Sequence, residues 1–220
     1  YNRADNIERA INSVINQTYE NLEIIVVDDN PNDSECRIKM IEIMSRYSDN
    51  KKVKYLKHEV NKNGAAARNT GIKESTGDYI TFLDDDDSFT PDRLQLMYDK
   101  LESLDDSWGA CYSSYVKHQI DGTKQYSGER VEGDIFLQAL MRSFYLGSGS
   151  NLFFRNSVIK DVGFFDENFK RNQDLEYLVR VAKKYKMAYV DNVLLEIHYD
   201  VRTVSLTYEQ TLEREMLFRN

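Results

Sequence analysis

Asp78-Tyr79-Ile80-Thr81-Phe82-Leu83-Asp84-Asp85-Asp86-Asp87 is the stretch around which this chain is organised. Residues 79–83 are apolar and β-prone, and they lie between Gly77 and the turn-forming residues 88–91. This pattern predicts a buried strand that ends in four consecutive carboxylates. In open α/β sheets ligands bind at the carboxyl ends of the strands, so the acidic run is expected at a ligand site.

The four carboxylates repel one another, and we expect a divalent cation to compensate them. Side chains alternate along an extended chain, so Asp84 and Asp86 should point the same way and hold one hard cation together with phosphate oxygens. The alternative is a solvated acidic loop in which Asp87 or Ser88 caps a helix that starts near Pro91. We favour the metal site because capping requires one carboxylate, not four.

Composition limits the possible classes of protein. With 220 residues, 41% of them hydrophobic, the chain can bury a large core and is expected to form one domain. A net charge of −8 argues against a general nucleic-acid binder. Cys36 and Cys111 are too few and too far apart for a disulfide framework or zinc site, so we expect free thiols. We identify no transmembrane run and no signal peptide.

Helices and strands alternate in the first half of the chain. Residues 5–17 predict an amphipathic helix with a capping box formed by Asp5 and Glu8. Residues 22–27 predict a strand that is buried on both faces and ends in Asp28-Asp29.

A second helix is expected over residues 34–47, with Ile38, Ile41 and Met44 facing inward, and another strand over residues 53–58. Such alternation predicts βαβ units with right-handed crossovers and a mostly parallel sheet.

Small residues dominate the segment 61–71, Asn-Lys-Asn-Gly-Ala-Ala-Ala-Arg-Asn-Thr-Gly, which predicts a loop followed by the start of a helix. Small side chains allow close approach of a neighbour or a ligand, and Arg68 supplies a fixed positive charge. A tightly packed helix with an exposed Arg68 is equally consistent with this segment alone.

Taken together, several motifs resemble family 2 glycosyltransferases. They are Tyr1-Asn2-Arg3, residues 13–19 (Ser-Val-Ile-Asn-Gln-Thr-Tyr), residues 23–29 (Glu-Ile-Ile-Val-Val-Asp-Asp), residues 63–69, residues 83–87 and Pro91-Asp92-Arg93-Leu94. The order and spacing of these motifs are more specific than any single Asp pair. The resemblance implies the GT-A fold, a three-layer α/β/α sandwich with a mostly parallel mixed sheet. The family has a hydrophobic first strand just before its Tyr-Asn, whereas this sequence begins at Tyr1-Asn2.

The resemblance also implies the roles of individual residues. Asp28 would bind the uracil base, with Asp29 nearby and Tyr1 against the base. Arg68 would lie near the base or the acidic cluster. Asp84 would lie at the ribose with Asp85 beside it, and Asp86 would coordinate the Mn²⁺ or Mg²⁺ that bridges the two phosphates. That ion would screen the diphosphate and stabilise the leaving nucleoside diphosphate.

The second half of the chain has a different pattern. Residues 91–104 predict a helix, residues 111–118 a strand, Asp121-Gly122 a turn, and residues 133–143 a short helix with Ile135, Phe136, Leu140 and Met141 inward. Residues 147–154 resemble the family strand that lines the sugar and acceptor cleft. Residues 163–167 resemble the family's Val-Gly-Gly-Phe-Asp-Glu segment, with Phe164 in place of the second Gly. We therefore divide the domain into a nucleotide-binding half (1–104), a sugar- and acceptor-binding half (105–206) and a C-terminal helix (207–220).

Asp174 is the predicted catalytic base, because the family carries a Glu-Asp pair at this helix start and Gln173 replaces the Glu here. An inverting transfer needs one carboxylate to take the proton of the attacking acceptor hydroxyl. Without the resemblance, Asp174 would be an ordinary first-turn acid favoured by the helix dipole.

His198 and Arg202 resemble the family's C-terminal contacts to the diphosphate or the metal, although a lone histidine is more often structural. The sequence leaves open whether the tail packs on its own domain or forms a homodimer.

The predicted activity is metal-dependent, inverting transfer from a UDP-sugar to a carbohydrate or lipid-linked acceptor, with no nucleic acid involved. We expect it in the cytoplasm, with peripheral contact to the inner face of the membrane if the acceptor is a lipid. The alternatives are a nucleotide-sugar-binding module without catalysis and an Asp-x-Asp phosphatase. The phosphatase is disfavoured because its motif belongs on the first strand.

Overall fold

The computed structural model describes residues 4–199, which form an α/β fold. Tyr1, Arg202 and the predicted C-terminal helix lie outside the described residues. The strands are β1 (Ile24–Asp28), β2 (Val53–Lys57), β3 (Tyr79–Thr81), β4 (Asp87–Phe89), β5 (Trp108–His118), β6 (Lys124–Ser127), β7 (Phe153–Arg155) and β8 (Lys186–His198). The helices are α1 (Ile7–Ile15), α2 (Glu35–Ser45), α3 (Gly64–Glu74), α4 (Arg93–Glu102), α5 (Phe136–Leu140), α6 (Asn156–Val162) and α7 (Gln173–Ala182), and Gly149–Asn151 form a 3₁₀ turn.

The strands form two sheets. Strands β1 and β2 pair in parallel, as the alternation in the first half predicted. The larger sheet has the order β3-β7-β5-β8-β4, with β6 added to β5. There β5 and β8 are parallel, whereas the remaining pairs are antiparallel. The α/β architecture with a mixed sheet is confirmed, but the described part of the chain contains more antiparallel than parallel pairs.

A cleft of ≈ 2090 Å³ runs along β1 and β3 and continues to the acidic segment. Strand β1 pairs with β2 and strand β3 with β7, so β1 and β3 belong to different sheets, and residues of both line the cleft. The cleft is larger than the usual 300–1,000 Å³ of a ligand pocket, because it extends along both strands as well as over the candidate site.

The predicted capping box of the first helix is wrong. The N-cap of α1 is Asn6, whose side chain makes no capping hydrogen bond. Asp5 instead accepts a hydrogen bond from Lys39 of α2.

The inward face predicted for α2 is also wrong in part. Met44 is buried, whereas Ile38 and Ile41 are exposed. The helix presents Arg37 to the interior, where its guanidinium forms an ion pair with Asp28 at 3.3 Å. This buried pair fixes the rotation of the helix and places Ile38 and Ile41 on the outside.

Two further elements differ from the sequence prediction. Strand β1 alternates between buried and half-buried residues and is not buried on both faces. Helix α5 covers five residues only, and its last residue Leu140 and the following Met141 are exposed, whereas Ile135 is fully buried as predicted. Phe144 and Leu146, in the irregular segment after α5, occupy the core instead.

The candidate site lies over well-packed layers. Met97 and Leu101 of α4 pack on one side of the larger sheet, and Tyr177 and Leu178 of α7 pack on the other side. All four side chains are almost fully buried, and burial of a large apolar side chain stabilises a fold by about 1.5–3 kcal/mol. Cys36 and Cys111 are free thiols, as predicted. Within residues 4–199 no helix has both the length and the apolar character that crossing a bilayer requires.

Candidate active site

The predicted site residues that the structure describes border the same cleft. They are Asp28, Asp29, Arg68, Asp84, Asp85, Asp86, Asp174 and His198. They come from the carboxyl ends of β1 and β3, the first half of α3, the first turn of α7 and the end of β8. The fold therefore gathers residues that are up to 170 positions apart in the sequence.

The acidic run forms a tight turn and not an extended strand end. Strand β3 ends at Thr81, and the Asp87 N–H donates to the Asp84 carbonyl at 3.1 Å. The alternation that predicted parallel side chains for Asp84 and Asp86 therefore does not apply. The capping alternative is also wrong, because Asp87 and Ser88 belong to β4 and the N-cap of α4 is Asp92.

Arg68 binds the first carboxylate of this turn. Its Nη2 donates to Asp84 Oδ1 at 2.7 Å, and its guanidinium lies 5.9 and 5.7 Å from the rings of Phe82 and Phe165. Helix α3 positions Arg68 through its N-cap Asn63, whose side chain accepts hydrogen bonds from the N–H groups of Ala65 and Ala66. The reading of Arg68 as merely exposed is wrong, since only 13% of its side chain is accessible.

Asp87 is buried and bound by two hydroxyl groups. Its Oδ2 accepts hydrogen bonds from Ser148 Oγ at 2.6 Å and Ser150 Oγ at 2.7 Å. Burial, together with the negative charge of Asp84, raises the pKa of Asp87 to about 7. Asp87 is thus an internal support of the turn.

Sequence reasoning missed the residues that support this turn. Ser150 Oγ accepts from the Asp84 N–H at 2.9 Å, and Ser150 O accepts from Arg93 Nη2 at 3.0 Å. Arg93 is completely buried, and its guanidinium lies 4.5 Å from the Phe89 ring. Burial lowers its pKa to about 10, so it remains a cation at neutral pH. The Gly-Ser-Gly-Ser sequence at 147–150 and the family motif Pro91-Asp92-Arg93-Leu94 were both noted, but neither indicated these contacts.

Asp28 already has protein partners at the end of β1. Its Oδ1 accepts from the N–H and the side-chain amide of Asn30, at 2.9 and 2.6 Å. Its Oδ2 accepts from the Tyr55 hydroxyl at 2.6 Å and faces Arg37 Nε at 3.3 Å. A carboxylate has about four acceptor positions, so a ligand donor would have to replace one of these groups.

Asp29 is bound just as completely. Its Oδ1 lies 2.7 Å from His58 Nδ1 and accepts from the Lys62 N–H at 2.8 Å. Its Oδ2 accepts from Asn61 Nδ2 at 2.9 Å and from the Asn63 N–H at 3.0 Å. Asp29 therefore holds the loop that leads into α3, and through it the position of Arg68.

Asp174 lies in the first turn of α7, close to the acidic turn. A Cβ atom on Gly149 would lie 3.2 Å from both Arg68 Nη2 and Asp174 Cβ, so these two side chains flank the same glycine. Burial raises the pKa of Asp174, with Arg68 acting in the opposite direction. Beside it, Asn172 Nδ2 and Gln173 Oε1 are buried without a hydrogen-bond partner. Unsatisfied buried polar atoms are rare in proteins and can indicate a ligand position.

His198 lies at the end of β8. Its Nε2 is 3.0 Å from Ser88 Oγ, and its ring stacks on that of His118. Burial, together with the positive charge of Arg9, lowers the pKa of His198 to about 4, so its ring is neutral at neutral pH.

Curated relatives of this chain are bacterial glycosyltransferases. The amylovoran biosynthesis glycosyltransferase AmsB of Erwinia amylovora is 30% identical over 210 residues, covering 92% of this chain and 68% of AmsB. A GalNAc(5)-diNAcBac-PP-undecaprenol beta-1,3-glucosyltransferase of Campylobacter jejuni is 26% identical, covering 98% of this chain and 72% of the relative. Other relatives extend further, since the chain spans 31% of an uncharacterised glycosyltransferase of Rickettsia conorii.

Solved structures share the fold at low sequence identity. S. aureus TarS 1-349 in complex with UDP-GlcNAc superposes with a TM-score of 0.77 at 16% identity, covering 98% of this chain and 62% of TarS 1-349. A mannosyltransferase from Pyrobaculum calidifontis in complex with GDP-Man and Mn²⁺ gives 0.66 at 17% identity, covering 92% and 56%.

The family model for glycosyl transferase family 2 matches residues 1–163, about three quarters of the sequence. This match agrees with the GT-A fold and with the motifs at the edges of the cleft. The chain belongs to glycosyltransferase family 2.

Proposed function

We propose that this chain transfers a sugar from a UDP-sugar to an acceptor hydroxyl, with inversion at the anomeric carbon and with dependence on Mn²⁺ or Mg²⁺. One observation carries the proposal: Asp174 and the acidic turn 84–87 border the same cleft, and Arg68 lies between them. A leaving diphosphate at the turn and an acceptor at Asp174 would then lie on opposite sides of one sugar.

The donor set at the acidic turn fits a hard cation. Asp84, Asp85 and Asp86 offer carboxylate oxygens at the cleft, and Mg²⁺ and Mn²⁺ prefer oxygen ligands. Asp86 would hold the ion, while Asp84 and Asp85 would face the ribose. When bound, the ion would act as a Lewis acid that stabilises charge on the departing diphosphate. Arg68 would hold Asp84 in position at the same time.

Asp174 would act as the general base. The raised pKa of this carboxyl favours proton uptake, and its position at an α-helix start leaves it facing the cleft. It would accept the proton of the acceptor hydroxyl as that oxygen attacks the anomeric carbon. The buried, unpaired amide atoms of Asn172 and Gln173 would bind sugar hydroxyls beside it.

Recognition of uracil by Asp28 would require an exchange of partners. The N3–H of uracil would take the place of the Tyr55 hydroxyl on Asp28 Oδ2, because Tyr55 is a side chain at the partly accessible end of this network. Asp29 would contribute by holding the adjoining loop, which it already binds at four positions.

The relatives support an acceptor that is a carbohydrate or a lipid-linked sugar. The Campylobacter jejuni relative is named for an undecaprenol-linked acceptor and AmsB for the biosynthesis of amylovoran. We propose a role in bacterial glycan synthesis in the cytoplasm, at the inner face of the membrane if the acceptor is lipid-linked. The predicted homodimer involves residues outside the described range and remains a prediction.

Calorimetry with UDP tests the proposal. Wild-type protein should bind UDP with Mn²⁺ present and much more weakly after EDTA. Asp86→Ala should lose the metal-dependent part of the binding. Asp174→Ala should retain UDP binding and lose transfer by about 10²–10⁴-fold, the usual contribution of a general base.

Two outcomes would overturn parts of this scheme. Equal UDP affinity with Mn²⁺ and with EDTA would contradict the role of the ion. UDP binding without transfer to any carbohydrate or lipid-linked acceptor by the wild-type protein would favour a binding module without catalysis.

A further inference from the structure

A cluster of nitrogen and oxygen ligands lies on the larger sheet beside the acidic turn. Glu196 and His198 are two residues apart on β8, so they point to the same face. His118 at the end of β5 is paired in register with His198, and their rings stack with centroids 4.5 Å apart. Three neighbouring strands meet here, because Ser88 of β4 pairs with Glu196.

The spacing of these side chains matches a metal coordination shell. One ring nitrogen from each histidine and one carboxylate oxygen of Glu196 all lie within 4.8 Å of one another. His118 Nε2 and Glu196 Oε1 are 3.3 Å apart. Metal–ligand bonds of about 2.0–2.2 Å in a tetrahedral arrangement hold adjacent ligand atoms roughly 3.3–3.6 Å apart. Small side-chain movements would therefore complete the geometry.

An unsatisfied atom independently indicates a ligand at this position. His118 Nε2 is buried and makes no hydrogen bond in the structure. Leaving such an atom unpaired costs its desolvation without a compensating bond, so proteins usually provide a partner. The nearest carboxylate oxygen lies at 3.3 Å without hydrogen-bond geometry, and a cation between the two would satisfy both.

We propose that His118, Glu196 and His198 bind a borderline divalent transition metal such as Zn²⁺. Two imidazoles and a carboxylate suit Zn²⁺, whereas the oxygen-only turn at 84–86 suits Mg²⁺ or Mn²⁺. This assigns His198 to a second ion and replaces its predicted role at the diphosphate metal. Among residues 4–199, His118, Glu196 and His198 form the one group of three His, Cys, Asp or Glu side chains whose ligand atoms lie close enough together to share an ion.

Ser88 would complete the site from outside the coordination shell. Its Oγ lies 3.0 Å from His198 Nε2 and 3.2 Å from Glu196 Oε2, so it can orient both ligands. Ser88 follows Asp87 directly in β4. An ion here would join the ends of β4, β5 and β8 and would fix the strand that leaves the acidic turn.

Metal titration of the untagged 220-residue chain tests this site. After treatment with a chelator, the protein should bind one equivalent of Zn²⁺ by calorimetry, and Co²⁺ should give visible absorption bands that Zn²⁺ removes. His118→Ala and Glu196→Gln should each weaken Zn²⁺ binding by at least about 100-fold, more than the roughly 10–100-fold loss of an outer partner. Glu196→Gln keeps the size of the side chain and guards against misfolding.

Two matched controls separate this site from the rest of the protein. His58→Asn alters a histidine that contacts Asp29 and Thr70, and it should leave Zn²⁺ affinity unchanged. Asp86→Ala should also keep the Zn²⁺ equivalent, even though it loses metal-dependent UDP binding. The inference is overturned if the wild-type protein binds no Zn²⁺, if folded Glu196→Gln binds it as tightly as wild type, or if Asp86→Ala abolishes it.

Discussion

Gly149 lies between Arg68 and Asp174, and an alanine there would crowd both side chains, so Gly149→Ala should impair transfer. An added Cβ would lie 3.2 Å from Arg68 Nη2, 3.2 Å from Asp174 Cβ and 3.4 Å from Asp174 Oδ2. Favourable separations between such atoms are about 3.5–4.0 Å, so Arg68 and Asp174 must each move away from the new Cβ by roughly 0.3–0.8 Å. A misplacement of about 1 Å can cost 10²-fold in rate, so a shift of this size should cost roughly 4- to 40-fold.

The assay compares Gly149→Ala with a control substitution, Gly71→Ala. Gly71 lies on α3, the helix that carries Arg68. The nearest atom to a Cβ on Gly71 is Val27 Cγ2 at 3.8 Å, an ordinary contact. Gly71→Ala should raise the free energy of unfolding by about 0.5–1 kcal/mol, because alanine favours the helix, and should leave turnover unchanged. UDP release from a panel of UDP-sugars, including UDP-GlcNAc, measures turnover, and urea unfolding measures stability.

Two results would refute the reasoning. Wild-type turnover in Gly149→Ala would show that Arg68 and Asp174 do not need the spacing that the glycine allows. An equal loss in Gly71→Ala, whose added Cβ meets only Val27, would show that turnover responds to an added methyl group near the cleft in general and not to the contacts at Gly149.

Three further expectations concern single groups in the cleft. Burial raises the pKa of Asp174, so the wild-type folded state loses stability as pH rises above the ordinary carboxyl pKa of about 4, whereas Asp174→Asn does not. The free energy of unfolding of Asp174→Asn relative to wild type should therefore increase between pH 4.5 and pH 7.5, and urea unfolding that shows the same difference at both pH values would contradict this. Tyr55→Phe should bind UDP with Mn²⁺ at least as tightly as wild type in calorimetry, because uracil no longer displaces a hydroxyl from Asp28, and a tenfold loss would argue against the exchange. NMR of the product should show a β-linkage from an α-linked UDP-sugar, whereas an α-linked product would exclude Asp174 as the base of an inverting reaction.

The sequence predicted much of the first half of the fold, because its signals there are local. Periodicity identified the strand before Asp28 and the helix that begins near Gly64, and both are observed within about two residues. The positions of Asp28, Asp84 and Asp174 around one cleft followed from strand order and from the family motifs. These features depend on patterns within about ten residues of each motif.

The rest depended on long-range contacts that local patterns do not contain. Arg37 is buried because it pairs with Asp28, and this pairing turned Ile38 and Ile41 outward. Ser148 and Ser150 hold Asp87 from more than 60 positions away. Such partners become visible only when the chain is folded, so hydrophobicity and spacing alone could not identify them.

The negative charge of the acidic turn is compensated differently from what the sequence predicted, which was a metal ion. Four adjacent charges suggested that the turn needs a cation, yet Arg68 pairs with Asp84 and burial brings the pKa of Asp87 to about 7. The protein itself therefore relieves part of the charge repulsion at neutral pH. Folding of the turn therefore gives little reason for an ion, and the reason that remains is the diphosphate. A cation at Asp86 would matter when a negatively charged donor enters the cleft, which is why UDP affinity, and not stability, is the property expected to depend on metal.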